Sequence, residues 1–218
     1  MCPRLAAPWQ ARYAARRMIV VLGRPLAARP PFMGAPATVV PGGLCVAIAR
    51  AAVAAGASVE LVGSIVDDAA GDAVVLELAR AGVGHAALLR APASRAPDGD
   101  GGDGSPLPPL DEGDVQLGLD YLLEFTVLLL AEQLGPAAEA VAVDAAVFRG
   151  AQVVAVVPHG ASPSDRLAGV ATVLEAPDED GGAFAWMIGR FAAELDRGAA
   201  PADGFTRAAA ATGWERRP

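Results

Sequence analysis

Six apolar runs, at 18–23, 58–63, 85–90, 125–131, 152–157 and 171–174, alternate with alanine-rich stretches of helical character. That alternation confines the chain to a layered α/β fold with a mainly parallel sheet, because each strand must be joined to the next by a crossover helix. The predicted helices cover 43–55, 69–81, 111–123, 136–149, 182–196 and 202–211. Gly56 and Gly82 close the first two, where a left-handed residue suits a helix C-terminus, and Pro136 falls in a first helical turn, where no backbone N–H is missed. Phe184, Trp186, Met187 and Phe191 recur at helical spacing, which reads as core or interface.

The 218 residues suit one packed domain, and a hydrophobic share of 53% against 19% charged residues supplies its core. Residues 1–17 carry four arginines and no continuous apolar run, so they read as a disordered extension, with Met18 opening the first strand and 18–218 forming the domain. Residues 91–113 mix glycine, proline and aspartate without periodicity and read as a flexible loop. A net charge of −8 speaks against nucleic acid and anionic membranes as partners, since both are polyanions. The longest apolar run, near 125–131, is far short of the roughly 20 residues that span a bilayer. Cys2 and Cys45 lie far apart in sequence, which points to a reducing compartment, the cytoplasm.

Read residue by residue, the chain offers few reactive constellations. His159 follows Pro158 at a strand end, where α/β folds gather ligand contacts, and is a candidate nucleotide- or anion-binding residue beside the bland reading of PHGASPSD as a loop. No second His or Cys stands near it, so no metal site is expected. Ser162 and Ser164 lack a nucleophile elbow. Cys45 reads as a buried small hydrophobe, the alternative being a thiol activated by a helix N-terminus.

Residues 41–71, PGGLCVAIARAAVAAGASVELVGSIVDDAAG, place a two-glycine turn, a helix, a strand and an acidic turn in succession. Pro41, Gly42, Gly43, Gly56, Asp67, Asp68 and Gly71 fall at the intervals of the corresponding segment in the ribokinase-like (PfkB) carbohydrate kinases, which this stretch resembles. The resemblance implies a three-layer α/β/α sandwich with a mainly parallel sheet. It also implies substrate contacts at Gly42, Gly43, Asp67 and Asp68, ATP and Mg²⁺ as cofactors, and a sugar or nucleoside as the small-molecule partner. Taken by themselves, Asp67 and Asp68 read equally well as a helix cap, and the glycine pair as a tight turn. The short, proline-rich stretch 24–40 leaves room for a reduced lid at most, so a homodimer would need another surface.

Departures from the family pattern point away from efficient catalysis. Leu44 stands at the family's lysine, Ala47 at its substrate-binding asparagine and Val66 at the glycine before the two aspartates. Aligned on its closing Ala-Phe, the catalytic motif falls on Ala176–Phe184, APDEDGGAF, with Gly182 at the position of the base and Glu179-Asp180-Gly181 at the anion hole. Gly181 and Gly182 remain candidate anion donors, and Asp180 becomes a displaced base if the motif shifts by two residues. The bland reading makes Asp178, Glu179 and Asp180 an acidic N-cap. The expectation is a divergent PfkB homologue, impaired in catalysis and retaining small-molecule or partner binding. The alternatives are an active carbohydrate kinase using Asp178 or Asp180 and a structural or regulatory subunit.

Overall fold

The computed structural model describes residues 17–28, 40–92, 107–177 and 182–214. Strands β1 (Ile19–Leu22), β4 (Val59–Val66), β5 (Gly84–Ala91), β6 (Val127–Leu130), β7 (Gln152–Val157) and β8 (Ala171–Glu175) form a six-stranded sheet in the order β5-β4-β1-β6-β7-β8. Every pairing in it is parallel. A separate antiparallel pair joins β2 (Leu26–Ala28) to β3 (Val40–Gly42). The helices are α1 (Leu44–Ala54), α2 (Ala69–Arg80), α3 (Glu112–Asp120), α4 (Pro136–Arg149), α5 (Asp165–Val170), α6 (Ala183–Asp196) and α7 (Pro201–Thr212).

A parallel sheet covered on both faces needs strands that are apolar on both sides, and β1 and β6 are buried at every position. Their alternate side chains divide between two cores. Ile19, Val21, Val127 and Leu129 meet α1, α2, α6 and α7, while Val20, Leu22, Leu128 and Leu130 meet α3, α4 and α5. The result is the three-layer sandwich.

Helices α1 and α6 approach so closely that a Cβ on Gly189 would lie 2.5 Å from the Ile48 carbonyl oxygen and from the Ala51 Cβ. They also run in the same direction. The Arg197 guanidinium at the end of α6 donates to the Ala55 carbonyl at the end of α1. Arg17 Nη1 donates to the Asp196 carbonyl at 2.6 Å, and the Thr126 hydroxyl donates to the Asp196 carboxylate while lying 3.3 Å from the Met18 carbonyl. Met18 and Thr126 precede β1 and β6, so α6 ends at the N-terminal edge of the sheet. Both helices therefore begin at the C-terminal edge, where α/β sheets bind ligands.

Several expectations shift in detail. Residues 26–28 and 40–42 form the β2–β3 pair in the region read as a reduced lid, and 165–170 forms a helix that was not among the predicted ones. Phe184, Met187 and Phe191 are buried as the helical spacing predicts, whereas Trp186 is half-exposed. Of residues 1–17, only Arg17 is described, and within 91–113 residues 93–106 lie outside the described residues. Leu107 and Leu110 are buried, and Asp111 caps α3 in a reciprocal box with Asp114.

Candidate functional site

The strand order reverses direction between β1 and β6: β4 and β5 follow β1 on one side, and β7 and β8 follow β6 on the other. At such a switch point the connections leave to opposite faces and open a crevice at the C-terminal strand ends. Arg24, two residues past β1, and Glu132, two past β6, meet across it. Arg24 Nε donates to the two carboxylate oxygens at 3.0 and 3.1 Å, its backbone N–H donates to Oε2 at 3.2 Å, and its Nη1 donates to the Leu107 carbonyl. The side chains are 25% and 21% exposed, so water screens this pair less than a surface one.

Beside the pair begins α1. Gly42 ends β3 opposite Leu26, and Gly43 is the N-cap, at φ 91° and ψ 160°. Its Cβ would stand 3.4 Å from Leu26 and 3.6 Å from the Arg24 carbonyl oxygen, so β2 roofs the turn. Cys45, in the first turn of α1, packs under the crevice, where a Cβ on Gly23 would be 2.7 Å from its own. Burial first, and the Glu132 charge second, push its thiol up to about 12. A helix N-terminus would lower it, but desolvation wins, so the reactive-thiol alternative is corrected to a protonated core residue.

Gly182 is the N-cap of α6 at φ 88°, so the acidic N-cap expected from Asp178, Glu179 and Asp180 is replaced by a glycine. A residue with positive φ places its side chain badly for capping and glycine best for turning. Asp180 and Gly181 lie outside the described residues. Asp68 caps α2, accepting from Ala70 N–H and Gly71 N–H, both at 2.9 Å. Asp67 pairs with Arg90 at 3.2 Å, and Arg90 also holds Asp72 at 2.6 Å. Gly71 lets α2 start close to β4, since a Cβ there would lie 2.0 Å from the Val66 carbonyl oxygen. His159 sits past the end of β7, its Nδ1 2.8 Å from Glu175 Oε1, which also accepts from the Gly160 N–H. An anion brought to His159 meets that carboxylate. Among the described residues no group of three or more His, Cys, Asp or Glu stands ready to hold a metal ion.

Gly42, Gly43 and Gly182 thus open two helices that begin at one sheet edge, whereas Asp67, Asp68 and His159 are engaged with Arg90, α2 and Glu175. Sequence reasoning missed Arg24 and Glu132. Each follows a strand that was identified, but the strand order that makes them neighbours is a tertiary fact. It also missed Ser64, a β4 residue only 4% exposed whose hydroxyl has no hydrogen-bond partner among the described residues.

The whole arrangement superposes on solved structures at TM-scores near 0.6. Phosphofructokinase-2 from Escherichia coli in complex with fructose-6-phosphate matches at a TM-score of 0.58 and 14% identity, over 91% of this chain and 92% of that one. The fold is ribokinase-like. A protein designated Ribokinase II from E. coli, in complex with ATP and Mg²⁺, matches this ribokinase-like chain at 0.59 and 12% identity, over 88% and 90% of the two chains. The protein Sa239 matches at 0.61 and 13% identity, over 94% and 95%. At such identities the likeness is one of fold. No protein-family model matches the chain, and no curated protein does. Among the described residues no helix is long and apolar enough to cross a membrane.

Proposed function

We propose that this chain is a divergent ribokinase-like carbohydrate-kinase homologue that binds a phosphorylated or hydroxyl-rich small molecule at the C-terminal sheet edge and transfers phosphoryl groups poorly. The observation that carries this reading is the parallel start of α1 and α6 at the switch-point edge, with a glycine at each N-cap. Two helix N-termini side by side present backbone N–H groups and the positive ends of two dipoles, the elements that bind an anion. The Arg24 guanidinium and the Glu132 carboxylate beside them offer donors and acceptors to hydroxyls.

Transfer asks for more than binding. A sugar hydroxyl must lose its proton to a base within about 3 Å, and the developing charge must meet preorganised donors. Gly182 has no proton acceptor at the position of the family's base, and Leu44, Ala47 and Val66 bring no polar side chain to the substrate side. ATP and Mg²⁺ are the cofactors in this reading. The helix N-termini fit a nucleotide phosphate, and Mg²⁺, when bound with it, would offset phosphate charge. Asp67 and Asp68 are candidate substrate-side residues only if they exchange Arg90 and the α2 cap for a ligand.

The test is isothermal titration with Mg·ATP and Mg·ADP, followed by a sugar and nucleoside panel assayed for phosphoryl transfer. Saturable nucleotide or sugar binding is expected, with transfer well below the usual range of about 1–10³ s⁻¹. Turnover within that range would make the chain an active kinase instead, and a folded protein that binds neither would leave the regulatory-subunit reading.

A further inference from the structure

On the sheet face opposite α1 and α6, the C-terminal ends of β6 and β7 and the N-terminal ends of α4 and α5 enclose a cavity of about 200 Å³. Leu134 and Leu167 are among its apolar walls, and its polar lining includes Glu132, Glu139, Ser162 and Ser164. Two of these are already satisfied by the fold. Glu132 is neutralised by Arg24, and the Ser164 hydroxyl accepts the Leu167 N–H at 3.1 Å as the N-cap of α5.

Glu139 is different. It is 8% exposed, and among the described residues its side chain has one partner, the Ser164 hydroxyl, which donates to Oε1 at 2.5 Å. A carboxylate offers about four acceptor positions, and burying one against a single neutral donor leaves its charge uncompensated. Among the described residues no cation pairs with Glu139. Its place in the first turn of α4 gives it the helix dipole, which favours negative charge there without supplying a counter-ion.

We propose that this cavity binds a small aliphatic ammonium ion, with the cation on Glu139 and the alkyl chain along Leu134 and Leu167. A volume of about 200 Å³ fits a chain of a few carbons. The carboxylate, not the hydroxyls, sets the ligand's charge, because a neutral alcohol would leave the buried charge as it is.

The experiment titrates the full chain at fixed ionic strength with n-butylammonium and, separately, with butan-1-ol, following amide chemical shifts at 139, 164 and 167. Saturable shifts are expected with butylammonium at a Kd of order 1 mM, at least about tenfold tighter than with butanol. Glu139→Gln is expected to weaken butylammonium at least about tenfold while leaving butanol unchanged. Equal affinity for the two compounds, no saturable shift at these amides, or unchanged binding in Glu139→Gln would overturn the proposal. If Glu139→Gln does not fold, the comparison of the two ligands on the natural chain decides alone.

Discussion

Three residues carry tensions that single substitutions can read. Gly189 is where α1 and α6 touch backbone to backbone, so Gly189→Ala forces a methyl to 2.5 Å from the Ile48 carbonyl oxygen and the two helices apart. A loss of about 1–3 kcal/mol in urea unfolding is expected, whereas the gain of about 1 kcal/mol that Gly→Ala brings in an exposed helix would mean the packing is loose. Ser64 buries a hydroxyl with no partner among the described residues, so Ser64→Ala should be neutral or raise stability by about 1 kcal/mol. Cys45 has a folded-state value raised from 9.0 to about 12. Folding therefore favours the neutral thiol: its effect is constant below pH 9, and stability falls as pH rises from there toward 12. Unfolding at pH 8 and 10 should show a Cys45-dependent loss of about 1 kcal/mol at the higher pH, absent in Cys45→Ala. None of the three effects follows from residue type, since each depends on what the fold places against the residue.

At the scale of elements, the caps separate two neighbouring aspartates that the sequence presents as a pair. Asp68 satisfies two backbone donors of α2, and its replacement by alanine should cost about 1 kcal/mol. Among the described residues the Asp67 side chain holds only the exposed Arg90, which retains Asp72, so Asp67→Ala should cost less than about 0.5 kcal/mol when both variants are compared by thermal unfolding. Equal losses would contradict the capping geometry. The long crossover helices were legible because alanine-rich periodicity, Pro136 and the closing glycines are local signals. Helix α5 was not, because its six residues are too few for a periodic pattern, and what holds it is the Ser164 cap and the burial of Leu167. The β2–β3 pair was missed for a related reason: each strand has three residues, and their pairing joins segments separated in sequence.

In the whole molecule, the Arg24–Glu132 pair ties the two halves of the sheet at the point where strand order reverses. A double-mutant cycle with Arg24→Met and Glu132→Gln should give a coupling of about 1–2 kcal/mol, above that of a surface pair, because two side-chain hydrogen bonds and partial burial act together. A coupling near zero would mean that the crevice is wet and the halves are held by core packing alone. The alternation of apolar runs and helices, the apolar character of β1 and β6, and the glycine-rich turn into α1 by themselves determined a parallel sheet layered between helices and the ribokinase-like resemblance. These are short-range patterns, written in periods of two and 3.6 residues and in the few residues that tolerate a turn. The tertiary structure alone decided the strand order, the meeting of Arg24 with Glu132 over 108 positions, the parallel start of α1 and α6, and the burial of Glu139 beside a cavity. Each of those is a contact between distant segments, and its energy comes from desolvation and packing that exist only once the layers have closed.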